Sequence, residues 1–518
     1  MRILHQPRTS CIAVRRGSTP ACPNRAWTAL LLLLLLAPLG SCSPDAEDAD
    51  EAAGKIHAST VSREALRLYL EGLRLQENLR ATEANELFQR AILADPEFAL
   101  AHLGAAQTSP TGSEFFDHLE RAIELADLAS EGEKHLVYAF AAGVNSDPVA
   151  QERHARALVE THPSDQRAHT VLGNLYFGRQ EYAQAIEQYR RAIALDPRFP
   201  PPYNQLGYSH RFLGDYAAAE EAFRTYVELI PDEPNPYDSY AELLMKAGRF
   251  AESIEQYQKA LERDPGFVAS RIGVGLNRIF LGDVEGGRAA FEALHAGARG
   301  DGERRQALTW LAHSRIFEGD TDGALAEVER RLQVAAASAD RSTMAGDLAF
   351  MGRILLEAGR LDEAAERFAA AVTTMEESGA TAEVKQALRH NQLYNEARVA
   401  LGRGDLAGAK AAAAVYGPAV ERRSITDEAR AHRELLGRIA IAEQDWPAAI
   451  GHLAEADQQN PVVLYLLAIA HRGAGDLERA RELAGRAANW NGLGESYAFV
   501  RAPAIELAAQ LGGRAPPE

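Results

Sequence analysis

Residues Gln166–Phe199 read QRAHTVLGNLYFGRQEYAQAIEQYRRAIALDPRF, and the 34 residues that follow read PPPYNQLGYSHRFLGDYAAAEEAFRTYVELIPDE. Each block holds two stretches of helix length with apolar residues in helical spacing, parted by a short break and closed by a proline. Proline ends a helix because it lacks the N–H of the next backbone bond and its ring clashes with the preceding turn. Pro163, Pro197, Pro231 and Pro265 are each 34 residues apart, and Pro96 lies 67 before Pro163, close to two such periods. A fixed period of this size marks an array of stacked helix pairs rather than a set of globular domains.

Within the unit from Gln166, Gly173, Tyr176, Ala185, Tyr189, Ala192 and Pro197 occupy positions 8, 11, 20, 24, 27 and 32. The next unit places Gly207, His210, Ala219, Phe223, Tyr226 and Pro231 there, and the following one Ala241, Leu244, Ser253, Tyr257, Ala260 and Pro265. The unit from Ala65 gives Gly72, Leu75, Ala84, Phe88, Ala91 and Pro96. This alternation of small and large residues resembles the tetratricopeptide repeat (TPR). The resemblance implies an all-α, right-handed α-solenoid of about 10–12 helix-turn-helix units over residues 63–491, degenerate at 98–165 and after 296. Small residues at positions 8 and 20 would let the paired helices approach, and a side chain in place of Gly173 would overpack the pair. Gly214, Gly248, Gly282, Gly319, Gly359, Gly404 and Gly475 stand where first helices end, the place for a left-handed residue that turns the chain. Extra residues near 299–303, 333–341 and 373–385 point to lengthened second helices. Ser496–Leu511 reads as a terminal capping helix inside a last segment, 492–518, that ends in a disordered tail.

The N-terminus reads as an address. Arginines and no acidic residue precede an apolar run from Ala26 to Leu39, too short for the roughly 20 residues that cross a bilayer. Leu39-Gly40-Ser41-Cys42 resembles a bacterial lipobox, which implies a cleaved signal at 1–41, lipidation of Cys42 and, with Ser43 next, an outer-membrane lipoprotein facing the periplasm. Secreted, membrane-anchored or organellar destinations stay open alternatives, since an Arg-rich, acid-free start also suits a transit peptide. The stretch 42–62 reads as a solvated acidic tether.

From Cys42 onward the chain holds 50 Lys and Arg against 73 Asp and Glu, a net charge of −23. Such a body excludes general nucleic-acid binding, which needs cations to replace counterions, and biases any partner towards basic protein or peptide. Its three cysteines, Cys11, Cys22 and Cys42, all lie at the start, leaving no thiol chemistry in the array. No phosphate loop, zinc-protease helix, nucleophile elbow or calcium loop is present. No catalytic residue, metal ligand or cofactor is assigned, and the chain reads as non-enzymatic.

The resemblance implies that positions 2, 5, 9 and 12 of each first helix line a concave groove. The partner-binding candidates are Arg167, Thr170, Asn174 and Phe177, then Asn204, Tyr208 and Arg211, then Asp238 and Glu242. Asparagine can meet both groups of a peptide bond, the rings offer flat apolar surface, and Arg211 offers a carboxylate fork. The expected function is a protein-interaction scaffold of the bacterial cell envelope. The alternative is a periplasmic protein that binds a glycan or a peptide ligand.

Overall fold

A computed structural model describes residues 55–512 except 79, 110, 111, 146, 381, 424 and 425. All regular elements among the described residues are helices. The signal, Cys42, the acidic stretch to residue 54 and the tail from 513 lie outside them.

Consecutive helices pack as antiparallel pairs. The first unit is α1 (Arg63–Glu77) with α2 (Ala81–Ala94), the second α3 (Ala99–Thr108) with α4 (Gly112–Ala126), the third α5 (Glu131–Val144) with α6 (Pro148–Thr161). The regular repeats follow: α7 (Gln166–Gly178) with α8 (Tyr182–Leu195), α9 (Pro201–Phe212) with α10 (Tyr216–Leu229), and α11 (Pro234–Lys246) with α12 (Phe250–Arg263). Next come α13 (Val268–Phe280) with α14 (Val284–Ala296), α15 (Asp301–Phe317) with α16 (Thr321–Ala337), and α17 (Arg341–Glu357) with α18 (Leu361–Glu376). The last pairs are α19 (Ala382–Gly402) with α20 (Leu406–Arg423), α21 (Thr426–Ala442) with α22 (Trp446–Ala454), and α23 (Pro461–Gly473) with α24 (Leu477–Ala488); α25 (Glu495–Gln510) ends the chain. Twelve units thus form an all-α solenoid. The irregular stretch 98–165 holds two pairs. After residue 296 the first helices lengthen as well as the second, α15 and α17 each reaching 17 residues, where the sequence reading placed the extra length in second helices alone.

The repeat slots act through sterics. A Cβ on Gly173 would lie 2.6 Å from the Tyr189 ring, and one on Gly207, Gly275 or Gly352 would meet Phe223, Phe291 or Phe368 as closely. The missing side chain at position 8 is therefore the seat of the aromatic at position 24. Those rings are buried, so in these units the two helices interlock through one ring in one glycine notch. All seven glycines read as helix ends have φ between 73° and 88°. Gln180 takes the same left-handed place in its unit at φ 63°, which costs a side chain about 1 kcal/mol relative to glycine.

The array also curls onto itself. Arg74 of α1 pairs with Glu233, just before α11, at 3.1 Å. Gln180 and the carbonyl of Phe212 bond to Asp457 and Gln459 from the far end of the chain. First and middle units, and middle and last units, are neighbours in space.

Candidate functional site

Three stretches of the inner face differ in what covers them. On units two to four the cover is the chain's own extended segment 55–60. The Ile56 N–H donates to Asp165 Oδ2 at 2.8 Å and the Ile56 carbonyl accepts from Arg167 Nη2 at 2.6 Å. The Ser59 N–H donates to Glu133 Oε1, the His57 carbonyl accepts from Ser130 Oγ, and Thr60 Oγ1 donates to Asp95 Oδ2. Lys55 Nζ reaches Gln166 Oε1. The Ile56 side chain is wholly buried beside Gly132, where a Cβ would lie 2.9 Å from it. Asp165 caps α7 by accepting from the Arg167 N–H. Burial works against its charge, but the Arg167 guanidinium and the two N–H donors outweigh burial and hold the carboxyl below its usual pKa.

This covering corrects two expectations. Residues 55–60 are docked rather than solvated, and Arg167 is 4% exposed, its fork already spent on Asp165 and the Ile56 carbonyl. Thr170 and Asn174 are buried too. Thr170 Oγ1 donates to its own helix at Gln166 O, and Asn174 Oδ1 accepts from the Tyr189 hydroxyl at 2.7 Å. Phe177 joins a ring cluster with Tyr182 and Phe212, the latter two stacked at 5.0 Å. All four hold the unit together. Lys55, Ile56, Glu133 and Asp165 make contacts in this dock that the repeat pattern does not reveal.

On units five and six the polar side chains of the inner face are buried or partly buried and pair with one another. The Arg211 guanidinium lies 4.7 Å from the Tyr208 ring centre and 4.9 Å from that of Phe212, and pairs with Glu242 at 3.1 Å. Asp238 accepts from Ser270 Oγ at 2.6 Å. Burial first, then the neighbouring Glu242, pushes the Asp238 carboxyl up to about 8, so it is largely neutral at pH 7. Arg211 Nε and Asn204 Oδ1 are buried and have no partner. Such atoms are rare in folded proteins because each carries an uncompensated desolvation cost. Of the residues the sequence singles out here, Tyr208 and Asp238 are buried much as Arg167 is, while Arg211 and Glu242 pair and stay partly exposed.

On units six to nine the cover is the C-terminal end of the chain. Lys246 Nζ donates to the Trp490 carbonyl at 2.6 Å and sits 3.0 Å from the centre of its ring. Burial drives this amine down to about 6. Tyr497 packs edge-on against Phe280 and Phe317, and Arg353 Nη2 donates to Glu495 Oε2 at 2.9 Å.

Among the described residues no cluster of three or more His, Cys, Asp or Glu side chains has metal-binding geometry, and no helix is long and apolar enough to cross a membrane. Trp310 packs against Phe291 and His313, and the Trp446 ring fills the space beside Gly473.

Family models described as TPR repeat match residues 173–214, and models described as tetratricopeptide repeat match 204–266, 348–377 and 461–486. No curated protein matches the sequence. Among solved structures, a tetratricopeptide repeat protein from Parabacteroides merdae is 17% identical, with 50% of this chain and 97% of that one aligned at a TM-score of 0.36. A thermophilic TPR protein from Thermus thermophilus is 21% identical over 42% of this chain and 99% of its own, at a TM-score of 0.28. TPR proteins typically mediate protein–protein interaction and are generally non-catalytic scaffolds. The matched repeats, in an array of helix pairs of which five interlock by a ring in a glycine notch, support the tetratricopeptide-repeat superfamily for this chain.

Proposed function

We propose that this chain is a non-catalytic scaffold of the bacterial cell envelope that holds a basic protein segment on the inner face of units five and six. One observation carries the reading: Arg211 Nε and Asn204 Oδ1, a donor and an acceptor on one helix, are buried without partners, and the Arg211 guanidinium lies over the Tyr208 ring. A peptide backbone supplies both complements. The segment 55–60 is held next door in this manner, through side chains that grip its N–H and C=O groups. A net charge of −23 from Cys42 onward favours a cationic partner. Lipidation of Cys42, with the array facing the periplasm from the outer membrane, rests on the leucine run and the Leu-Gly-Ser-Cys ending.

The test is a photo-crosslinking residue at Asn204 in the native, membrane-associated protein. The expected result is one dominant adduct, lost with Arg211→Ala, and release of the protein from membranes by Cys42→Ala. Adducts that are diffuse and insensitive to Arg211 would overturn the binding reading. Unchanged membrane association of the Cys42 variant would overturn the anchor.

A further inference from the structure

The helix α25 carries one apolar stripe, Tyr497, Val500, Ala504, Leu507 and Ala508, at the i, i+3, i+4, i+7 spacing of a single face. Two different cores share it. Ala504, Leu507 and Ala508 complete the core of the last unit, whereas Tyr497 and Val500 belong to the core of units six to eight with Met245, Phe280 and Leu308. Pro503 stands between the two halves, inside the helix. The first two turns of α25 thus lie in the array as a ligand would, flanked by the Arg353–Glu495 pair and by Lys246 under Trp490.

The seat is imperfect. His313 of α15 is buried with both ring nitrogens unpartnered, and the Arg501 Nε is buried and unpartnered as well. Glu495 and Arg353 keep 19% and 31% of their side chains accessible, so the ion pair is open to competition. The joint leading into α25 has a left-handed residue, Asn491, followed by Gly492 and Gly494. A helix whose side chains satisfied His313 would fill the same surface with fewer orphaned groups.

We infer that the inner face of α11, α13, α15 and α17 is a helix-binding site that the isolated chain closes with its own α25. The partner that fits it is an amphipathic helix with a carboxylate in its first turn, an aromatic two residues on and a β-branched residue three beyond that. This deepens the scaffold reading by adding a second surface and a second kind of partner, and it makes entry of that partner conditional on release of α25.

The probe is a fluorescent peptide of residues 489–502, titrated into the full chain from Cys42 with Cys42→Ser. Glu495→Arg in the protein weakens the internal pair and leaves Arg353 for the peptide, so affinity should rise at least about tenfold over the parent. Adding Arg353→Glu to that variant rebuilds a pair in reverse and should return affinity to the parent level. Arg353→Cys with Glu495→Cys, which supply the only thiols in that protein, joined by a short bis-maleimide, should abolish binding. Equal affinity for the parent and the Glu495→Arg protein, each checked by thermal melting to be folded, overturns the proposal, as does binding to the crosslinked chain. The readout is independent of unit five: without an adduct at Asn204, the scaffold reading fails while this site stands.

Discussion

The Arg167 guanidinium donates to the carbonyl of Ile56 across 111 residues of sequence and is held there by a buried carboxylate, Asp165. Removing the arginine leaves that carboxylate buried without its cation. Arg167→Met is expected to cost about 3–5 kcal/mol, measured by urea unfolding, and to open the chain near residues 55–62 to limited proteolysis. A change under 1 kcal/mol with an unaltered cleavage pattern would contradict the clamp.

The ring-in-notch packing makes two glycines behave oppositely. In Gly273→Ala the new methyl would lie 2.1 Å from the buried Tyr257 ring, an overpacking expected to cost about 2–3 kcal/mol. Gly485, inside α24, has nothing within 4 Å of such a methyl. Gly485→Ala should stabilise by up to about 1 kcal/mol through helix propensity alone. Opposite shifts in melting temperature are the check.

Asp238 supplies a pH signature. Its folded pKa is raised to about 8, against roughly 4 when unfolded, so between these values the folded state holds the extra proton. Stability of the parent should therefore fall, relative to Asp238→Asn, as pH rises from about 4 to about 8, by at most about 1.4 kcal/mol per unit. The asparagine still accepts from Ser270, so the difference isolates ionisation. Parallel melting curves for the two proteins across pH 5–8 would count against it.

Lys246 gives the mirror case. Its folded pKa is lowered to about 6, against about 10.4 unfolded, so the unfolded state binds the extra proton in that window and stability climbs with pH. Lys246→Met should be most stabilising at and below pH 6, and its advantage should shrink towards pH 10. The comparison uses thermal melting of both proteins at matched ionic strength.

How far the sequence could be read depends on the range of the interaction. The prolines 34 apart, the seven glycines at first-helix ends and the position-8 notches are local features, and each stands in the structure where the repeat puts it. The contacts of Arg211 with Tyr208 and Glu242 are legible for the same reason, since they lie within one repeat length of each other. The clamp on residues 55–60 is not. Ile56 is a lone apolar residue in a polar stretch, without periodicity, and its partners Asp165 and Arg167 lie more than a hundred residues away. The stretch 496–511 reads as a helix, but nothing in its pattern says that Tyr497 meets Phe280, because the solenoid's curvature sums small rotations over many units.

The clamp also sets where a force applied upstream of the array would enter it. A pull on the chain upstream of Lys55 is delivered to Asp165 and Arg167 at the fourth unit before any of it reaches α1. Twelve residues lie between Cys42 and Lys55, which limits the distance between the two to about 45 Å. In a chain anchored upstream of Lys55, the load would enter at the fourth unit instead of the first.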